Sequence, residues 1–305
     1  MISLIVGAIA IGSSPIFVRL SELGPVATAF WRLSLAMPVL WLWAGLGERG
    51  TNAPRRPSGY ADFLALAFAG LCFTGDITLW HLSVVLTSVA NSTLLVNLAP
   101  VFVALGSWLI FGERFSTTFL LGMVVAIAGS ALLVGRDLAL DTQNLSGDAL
   151  ALLAAAFYGG YILTVSRLRS RFSTPTIMVS SGAVTCVALL PITLLSRENL
   201  LATTVYGWAV LLGVALISHA GGQSLVTYAL SSLPAAFSSV GLLLQPVAAA
   251  TLAWALLGEA LGIWQILGGV VVLFGIVLTH RGIGGGRTRE EHLPVTERRP
   301  VDDGN

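Results

Sequence analysis

Three side chains in the apolar stretches of this sequence can do chemistry, because almost nothing else there is charged or titratable. Asp76 stands in Thr74-Gly75-Asp76. A carboxylate in hydrocarbon costs about 2.5–3.5 kcal/mol on insertion scales, so it must face a cavity or a partner. It is a candidate for binding substrate and for carrying a proton. Arg32, in an earlier apolar run, is its counter-charge. Two readings stay open: a structural Asp76–Arg32 pair, or a transport role for Asp76. His219 lies beside Gly221-Gly222-Gln223. An ordinary imidazole titrates near neutral pH, so His219 can serve a proton or a substrate, or simply pack as a hydrogen-bonded residue. His81, near the end of its run, reads as interfacial.

Amides and aromatics supply the remaining polarity. An amide facing lipid is unsatisfied, so Asn97, Gln223 and Gln245 should point inward. They either bond between helices or line a pocket of mixed polarity. Trp80, Asn91, Tyr158, Tyr161 and Tyr228 belong to the same inventory, although aromatic residues also anchor membrane interfaces. The candidate substrate-binding set is therefore Asp76, Trp80, Asn97, His219, Gln223 and Gln245.

Other chemistries lack their residues. The sequence has no Walker loop, no His-Glu-x-x-His and no Cys-x-x-Cys. Phe73 stands where the Gly-x-Gly-Asp signature of an intramembrane aspartyl protease needs glycine. No catalytic residue, metal site or cofactor is expected. Cys72 and Cys186 both lie in apolar runs and read as buried free thiols.

The elements that must position these groups follow from composition. Hydrophobic residues make up 55% of the 305 and charged residues 10%, against about 25% charged in a soluble domain. Residues 199–258 contain no Asp, Glu, Arg or Lys. Ten runs can each span a bilayer: 2–20, 25–46, 61–83, 88–111, 117–135, 148–166, 174–196, 203–229, 235–257 and 261–280. They are continuous, not alternating, which favours helices over barrel strands. The first run has no basic region before it and reads as a spanning helix, not a signal peptide. Residues 281–305 lose the apolar pattern and read as a disordered tail.

The second half repeats the first at an offset of 146 residues. Pro100 recurs as Pro246, Gly112-Glu113 as Gly258-Glu259, Gly122 as Gly268 and Gly129 as Gly275. Five helices per copy is an odd number, so the second copy enters the membrane with opposite polarity. The expected fold is an all-α membrane protein of ten transmembrane helices in two inverted five-helix repeats. Its parts are 1–135, a linker at 136–147, 148–280 and the tail at 281–305.

Within the repeat, Pro100 and Pro246 fall mid-run, where each removes a backbone donor. They are tolerated kinks or bends that flex during gating. Glu113 and Glu259 read as caps of the helix that follows each, with substrate or proton binding as the alternative. Gly159-Gly160, Gly221-Gly222, Gly268-Gly269 and the pair Gly122 and Gly129 permit close helix packing.

These residues carry a family resemblance. Leu79 through Gly135, with Leu98-Ala99-Pro100, Gly112-Glu113-Arg114 and the two glycines, resembles the C-terminal part of an EamA domain of the drug/metabolite transporter superfamily. Leu225 through Leu278 is similar, with Ala260 where the first copy has Arg114. The resemblance covers about residues 2–280. It implies a secondary transporter, exporting amino acids or related small metabolites without ATP hydrolysis. The substrate would bind mid-membrane, lined by the third, fourth, eighth and ninth helices. The rival class is an intramembrane enzyme acting on lipid-linked or peptide substrates. Expected partners are a small-molecule substrate and membrane lipid, not nucleic acid; the formal charge of +1 favours no class.

Arginine sets the orientation. Before the tail, seven arginines (49, 55, 56, 114, 167, 169 and 171) fall on the side that holds the N-terminus, and three (19, 136 and 197) on the other. The positive-inside rule then puts both termini in the cytoplasm of an inner-membrane protein. Reporter fusions after Arg56, Arg171 and His292 should read cytoplasmic, and those at Asp141 and Glu198 external. A cytoplasmic signal at Asp141 would overturn the inverted arrangement.

Overall fold

The computed structural model describes residues 1–47, 56–134 and 145–283. Ten spans are long and apolar enough to cross a membrane. They are α1 (Ile2–Leu20), α2 (Pro25–Leu46), α3 (Tyr60–Leu86), α4 (Ala90–Phe111), α5 (Thr117–Val134), α6 (Leu145–Leu168), α7 (Thr174–Leu195), α8 (Val205–Ala229), α9 (Ala235–Leu257) and α10 (Ile263–Gly282). The chain is an all-helical multi-pass membrane protein. Its outward surface is rich in Leu, Val, Ile and Phe, as a hydrocarbon environment requires. The expected linker and tail fall largely at 135–144 and 284–305, outside the described residues.

The packing repeats between the halves. α5 lies on α10, α4 meets α9 and α2 meets α7. α3 packs on α6 as α8 packs on α1, and α4 packs on α6 as α9 packs on α1. Each contact has its counterpart when the halves are exchanged, which is how two copies of one bundle pack about a two-fold axis. The α5–α10 pair fixes the sense of that axis. Phe119 meets Gly282, Gly122 meets Thr279, Ala126 meets Gly275, and Gly129 meets Val272. One number rises as the other falls, so equivalent helices run antiparallel and the repeat is inverted. The close approach depends on glycine: a Cβ on Gly275 would lie 2.4 Å from the Ala126 nitrogen, and one on Gly129 2.5 Å from the Val272 nitrogen.

The Gly-Glu repeat has a different role from the one its sequence suggests. Gly112 and Gly258 adopt φ of 67° and 69°, a region glycine enters at no steric cost. The Glu113 amide then donates back to Ser107 O at 3.2 Å, and Glu259 to Ala253 O at 3.4 Å. This is a helix C-cap that closes the preceding span. Neither glutamate caps the next helix. Ser116 does so for α5, accepting from the Phe119 amide at 3.1 Å. At α10, the Gln265 side chain accepts from the Gly262 amide at 2.9 Å. The Glu259 carboxylate instead pairs with Arg19 in the open, where an ion pair adds little.

Four spans are broken. α1 turns at Ser13, α2 at Leu35-Ala36, α4 at Asn97-Leu98 and α9 at Leu242-Leu243. A proline follows each break within the first turn of the next segment: Pro15, Pro38, Pro100 and Pro246. There a missing N–H costs nothing. Pro100 and Pro246 therefore start second half-helices, and do not kink continuous ones. Pro191 lies inside α7 without a break. α8 instead carries a π segment, Val214–Gln223; short π distortions within helices are frequent at functional sites.

The two faces differ. In α9 every residue of Ala235–Gly241 is buried, whereas in Leu244–Leu257 only Ala248 is. α4 runs the other way: Ala99–Phe111 buries Ala99, Pro100, Val103, Ala104 and Ser107, while residues 90–96 bury Asn91 and Ser92. On the face where α1 starts, both half-helices are well packed. On the face where α1 ends, their counterparts are open.

That second face is clasped on its other side by two glutamates. Glu22, between α1 and α2, accepts from the Thr203 amide at 2.8 Å, the Thr203 hydroxyl at 2.9 Å, the Thr204 amide at 3.2 Å and the Thr204 hydroxyl, all at the start of α8. Glu198, before α8, accepts from the Ala27 amide at 2.8 Å and the Val26 amide at 3.4 Å at the start of α2. Each half thus supplies an anion to a helix N-terminus of the other, where the dipole favours it. Trp31 donates to Leu200 O at 2.5 Å and meets Trp208 edge-on at 5.0 Å.

Gly275→Ala should lower stability by about 1–3 kcal/mol, because the new methyl must move backbone. Gly45→Ala has no atom within 4 Å and should lower nothing; thermal melting in detergent compares the two. The threonine donors, the Thr204 hydroxyl foremost, hold the Glu22 carboxyl below its usual 4.5. Its stabilisation is complete above that pH and is lost as pH falls through the lowered value. Glu22→Gln should therefore melt below wild type at pH 7, and the gap should narrow under more acid conditions. An unchanging gap from pH 7 to pH 3 would contradict this account of the clasp.

Candidate functional site

Asp76 lies on α3 about 15 Å from the end of that span at 1.5 Å per residue, so it is well inside the membrane. Its carboxylate is half-buried and makes no hydrogen bond among the described residues. Arg32 on α2 is half-buried too, and donates to the Ser14 hydroxyl at 3.1 Å beside the break in α1. Its Nε is buried without a partner. Arg32 lies within electrostatic reach of Tyr158, Asp76 and Tyr161, yet no N–O pair between Arg32 and Asp76 falls within 4.0 Å. The two charges lie within electrostatic reach of each other without forming a contact pair.

A row of rings from both halves runs beside these charges. Tyr158 stacks on Tyr161 at 6.2 Å, Tyr161 meets Phe73 at 4.9 Å and Phe73 stacks on His219 at 5.9 Å. The row runs from α6 across α3 to α8. His219 and Phe73 are separated by the repeat offset of 146, so this contact joins counterpart positions of the two halves. Neither ring nitrogen of His219 has a partner, and the side chain is buried. It sits in the π segment, as do Ser218, which bonds Ser13 at 3.1 Å, and Gln223, which donates to the Tyr161 hydroxyl at 3.2 Å. Gln245, just past the break in α9, approaches the Tyr158 hydroxyl; its Nε2 is buried without a partner.

Of the other expected residues, Trp80 lies near Asp76 and the rest fall elsewhere. Trp80 is half-buried one helical turn along α3 from Asp76 and meets His81 edge-on at 4.8 Å. Asn97 donates to Ser130 on α5 at 2.9 Å, which is the interhelical bonding open to such an amide. Pro100 is buried and Pro246 half-buried. The charged cluster thus draws on α1, α2, α3, α6, α8 and α9. Tyr158 and Tyr161 had only an aromatic inventory to mark them, and Ser14 no mark at all. The one usable signal for Ser14 is the Ser13-Ser14-Pro15 interruption of an apolar run. Cys72 is buried, and Cys186 is half-buried with the Ser34 hydroxyl at 3.9 Å; both are free thiols.

Comparison with known proteins agrees with this architecture. A solved crystal structure superposes with a TM-score of 0.78 over 91% of this chain and 95% of its own, at 14% identity; this is a likeness of fold. An uncharacterised transporter of Archaeoglobus fulgidus is 27% identical over 87% of this chain and 91% of its own. A probable terminal-alkyne amino-acid exporter of Streptantibioticus cattleyicolor is 28% identical over 91% of each. The threonine/homoserine exporter RhtA of Salmonella typhimurium is 30% identical over 67% of this chain and 66% of its own. The model of the EamA-like transporter family matches residues 1–135 and again 145–281. The chain is a multi-pass membrane transporter and belongs to the EamA-like transporter family.

Proposed function

We propose that this transporter exports amino acids or closely related small metabolites across the cytoplasmic (inner) membrane, and that proton uptake at Asp76 drives the export. The observation that carries this reading is the Asp76 carboxylate, half-buried and unbonded between two inverted halves. A charge so placed is costly unless it has a task. The names of the relatives from Streptantibioticus and Salmonella support the substrate class. The repeats are 1–135 and 148–280, joined by 136–147 and followed by a tail at 281–305. With both termini in the cytoplasm, the open half-helices of α4 and α9 face outward.

A carboxylate that holds either a proton or the substrate's ammonium, but not both, exchanges one for the other. Release of substrate to the outside then admits a proton, and proton release inside readies the site. Trp80, His219, Gln223 and Gln245 contact the substrate as it sits by Asp76, while Asn97 steadies the break in α4. Pro100 and Pro246 begin half-helices that rock in opposite senses, so that closing the outer halves opens the inner ones. The chain is read as a transporter and not an enzyme, a reading that the names of its relatives support.

In proteoliposomes, Asp76→Asn should abolish accumulation driven by a pH gradient. Downhill amino-acid exchange at equal pH should persist at raised substrate concentration. Pairing Asp76→Asn with Arg32→Gln tests for a purely structural pair. If the double variant regains both stability and pH-driven accumulation, Asp76 is not the proton site.

A further inference from the structure

We propose that Arg32 is the receptor for the substrate's carboxylate, with Asp76 across from it for the ammonium group, so that the two select zwitterionic amino acids over their cationic and anionic analogues. This rests on the amino-acid reading above and assigns it a recognition chemistry.

A guanidinium offers five N–H donors in a planar fork. Arg32 uses one on Ser14, at 3.1 Å, and its buried Nε has no partner. A free fork in low-dielectric surroundings matches a carboxylate, which it can grip through two bonds at once. Opposite charges in such surroundings attract strongly and would close into a contact pair if nothing held them apart. Here they do not meet within 4.0 Å. The Arg32–Ser14 bond ties the guanidinium to the break in α1, while Asp76 stays on α3. Two opposite charges that stand apart are the complement of an α-amino acid, whose carboxylate and ammonium sit on one carbon. A phosphate or a dicarboxylate fits worse, since its second negative charge would oppose Asp76. The rings of Tyr158, Tyr161, Phe73 and His219 offer the side chain an aromatic surface that excludes no particular shape.

The test uses the full chain in proteoliposomes and counterflow of labelled L-threonine and L-leucine. Competitors are each unlabelled amino acid, its methyl ester, which lacks the carboxylate, and its 2-hydroxy analogue, which lacks the ammonium. In wild type the amino acid should compete at least about tenfold better than either analogue, the size expected for one charge-assisted hydrogen bond. Arg32→Gln should weaken the amino acid about tenfold or more and leave the ester unchanged, so that their difference disappears. Arg32→Lys keeps the charge without the fork and should retain part of the difference. A melting measurement on each variant reports folding. If Arg32→Gln does not fold, Arg32→Lys decides: an undiminished preference for acid over ester overturns the assignment. So does equal competition by acid and ester in wild type, or a difference that survives Arg32→Gln. Absence of wild-type counterflow with both amino acids sinks the amino-acid reading itself, and this assignment with it.

Discussion

Hydrocarbon offers no hydrogen bonds, and that constraint shapes this molecule at every scale. A backbone group that crosses the bilayer must be satisfied within the chain, which leaves helices as the spanning element here. Many side-chain hydroxyls follow the same rule. Thr74, Thr164, Ser181, Thr193 and Thr279 each donate to a carbonyl one turn back on their own helix. Thr185 also reaches across from α7 to Gly70 O on α3 at 3.0 Å. Against that background, the polar atoms without partners stand out. Arg32 Nε, both nitrogens of His219 and Gln245 Nε2 are among them. Buried hydroxyls of Thr78, Ser107, Thr174, Ser224 and Ser238 also lack a partner; what sets Arg32, His219 and Gln245 apart is that they border the row of rings joining the two halves.

Holding the halves together raises a second problem, because lipid gives helices no hydrophobic reason to associate. The solution is close backbone approach. At the α5–α10 seam, Gly122, Gly129, Gly268, Gly275 and Gly282 let two antiparallel helices touch along most of their length. That seam is extensive and can stay rigid while the rest moves. The broken spans are built otherwise. The breaks in α1, α2, α4 and α9 leave half-helices that can tilt about a turn, and two of them, in α4 and α9, are counterparts. Their unequal burial on the two faces is an asymmetry that the proposed rocking would use, since exchanging the roles of the halves would reverse it.

Much of this was legible in the sequence, for identifiable reasons. The ten spans are long runs of a single character, and their bounds differ from the reading mostly by a few residues. The inverted repeat followed from residues that have few substitutes: a glycine at positive φ before Glu113 and Glu259, and glycines at the α5–α10 seam. Other features left weaker traces. Pro15 and Pro38 mark breaks as Pro100 and Pro246 do, but Pro191 marks none, so proline alone does not locate a break. The Gly-Glu pairs were recognisable, yet their role as a C-cap lies in backbone bonds that no side-chain rule exposes. The glutamate clasps join residues more than 170 positions apart, and sequence spacing carries no trace of them. Tyr158 and Tyr161 look like interface aromatics until α6 is seen turned toward Arg32.

What repeats and what does not have separate physical reasons. A scaffold that presents one site alternately to two sides gains from two-fold symmetry, because each state is then close to the other turned over. Proline after the break, glycine at the cap and glycine at the seam therefore recur. The proposed substrate, an amino acid, has no two-fold axis, so a site built for it would not repeat. Arg32 lies on α2, and its counterpart α7 carries no charged residue; Asp76 lies on α3, and its counterpart α8 carries none either. His219 faces Phe73, and the two tyrosines of α6 have no tyrosine opposite them in α1. In an inverted-repeat chain, then, recurring residues trace the shared scaffold. Polar residues left over once the repeat is set aside carry what the two halves do not share, and here Arg32, Asp76 and Tyr158 lie within electrostatic reach of one another.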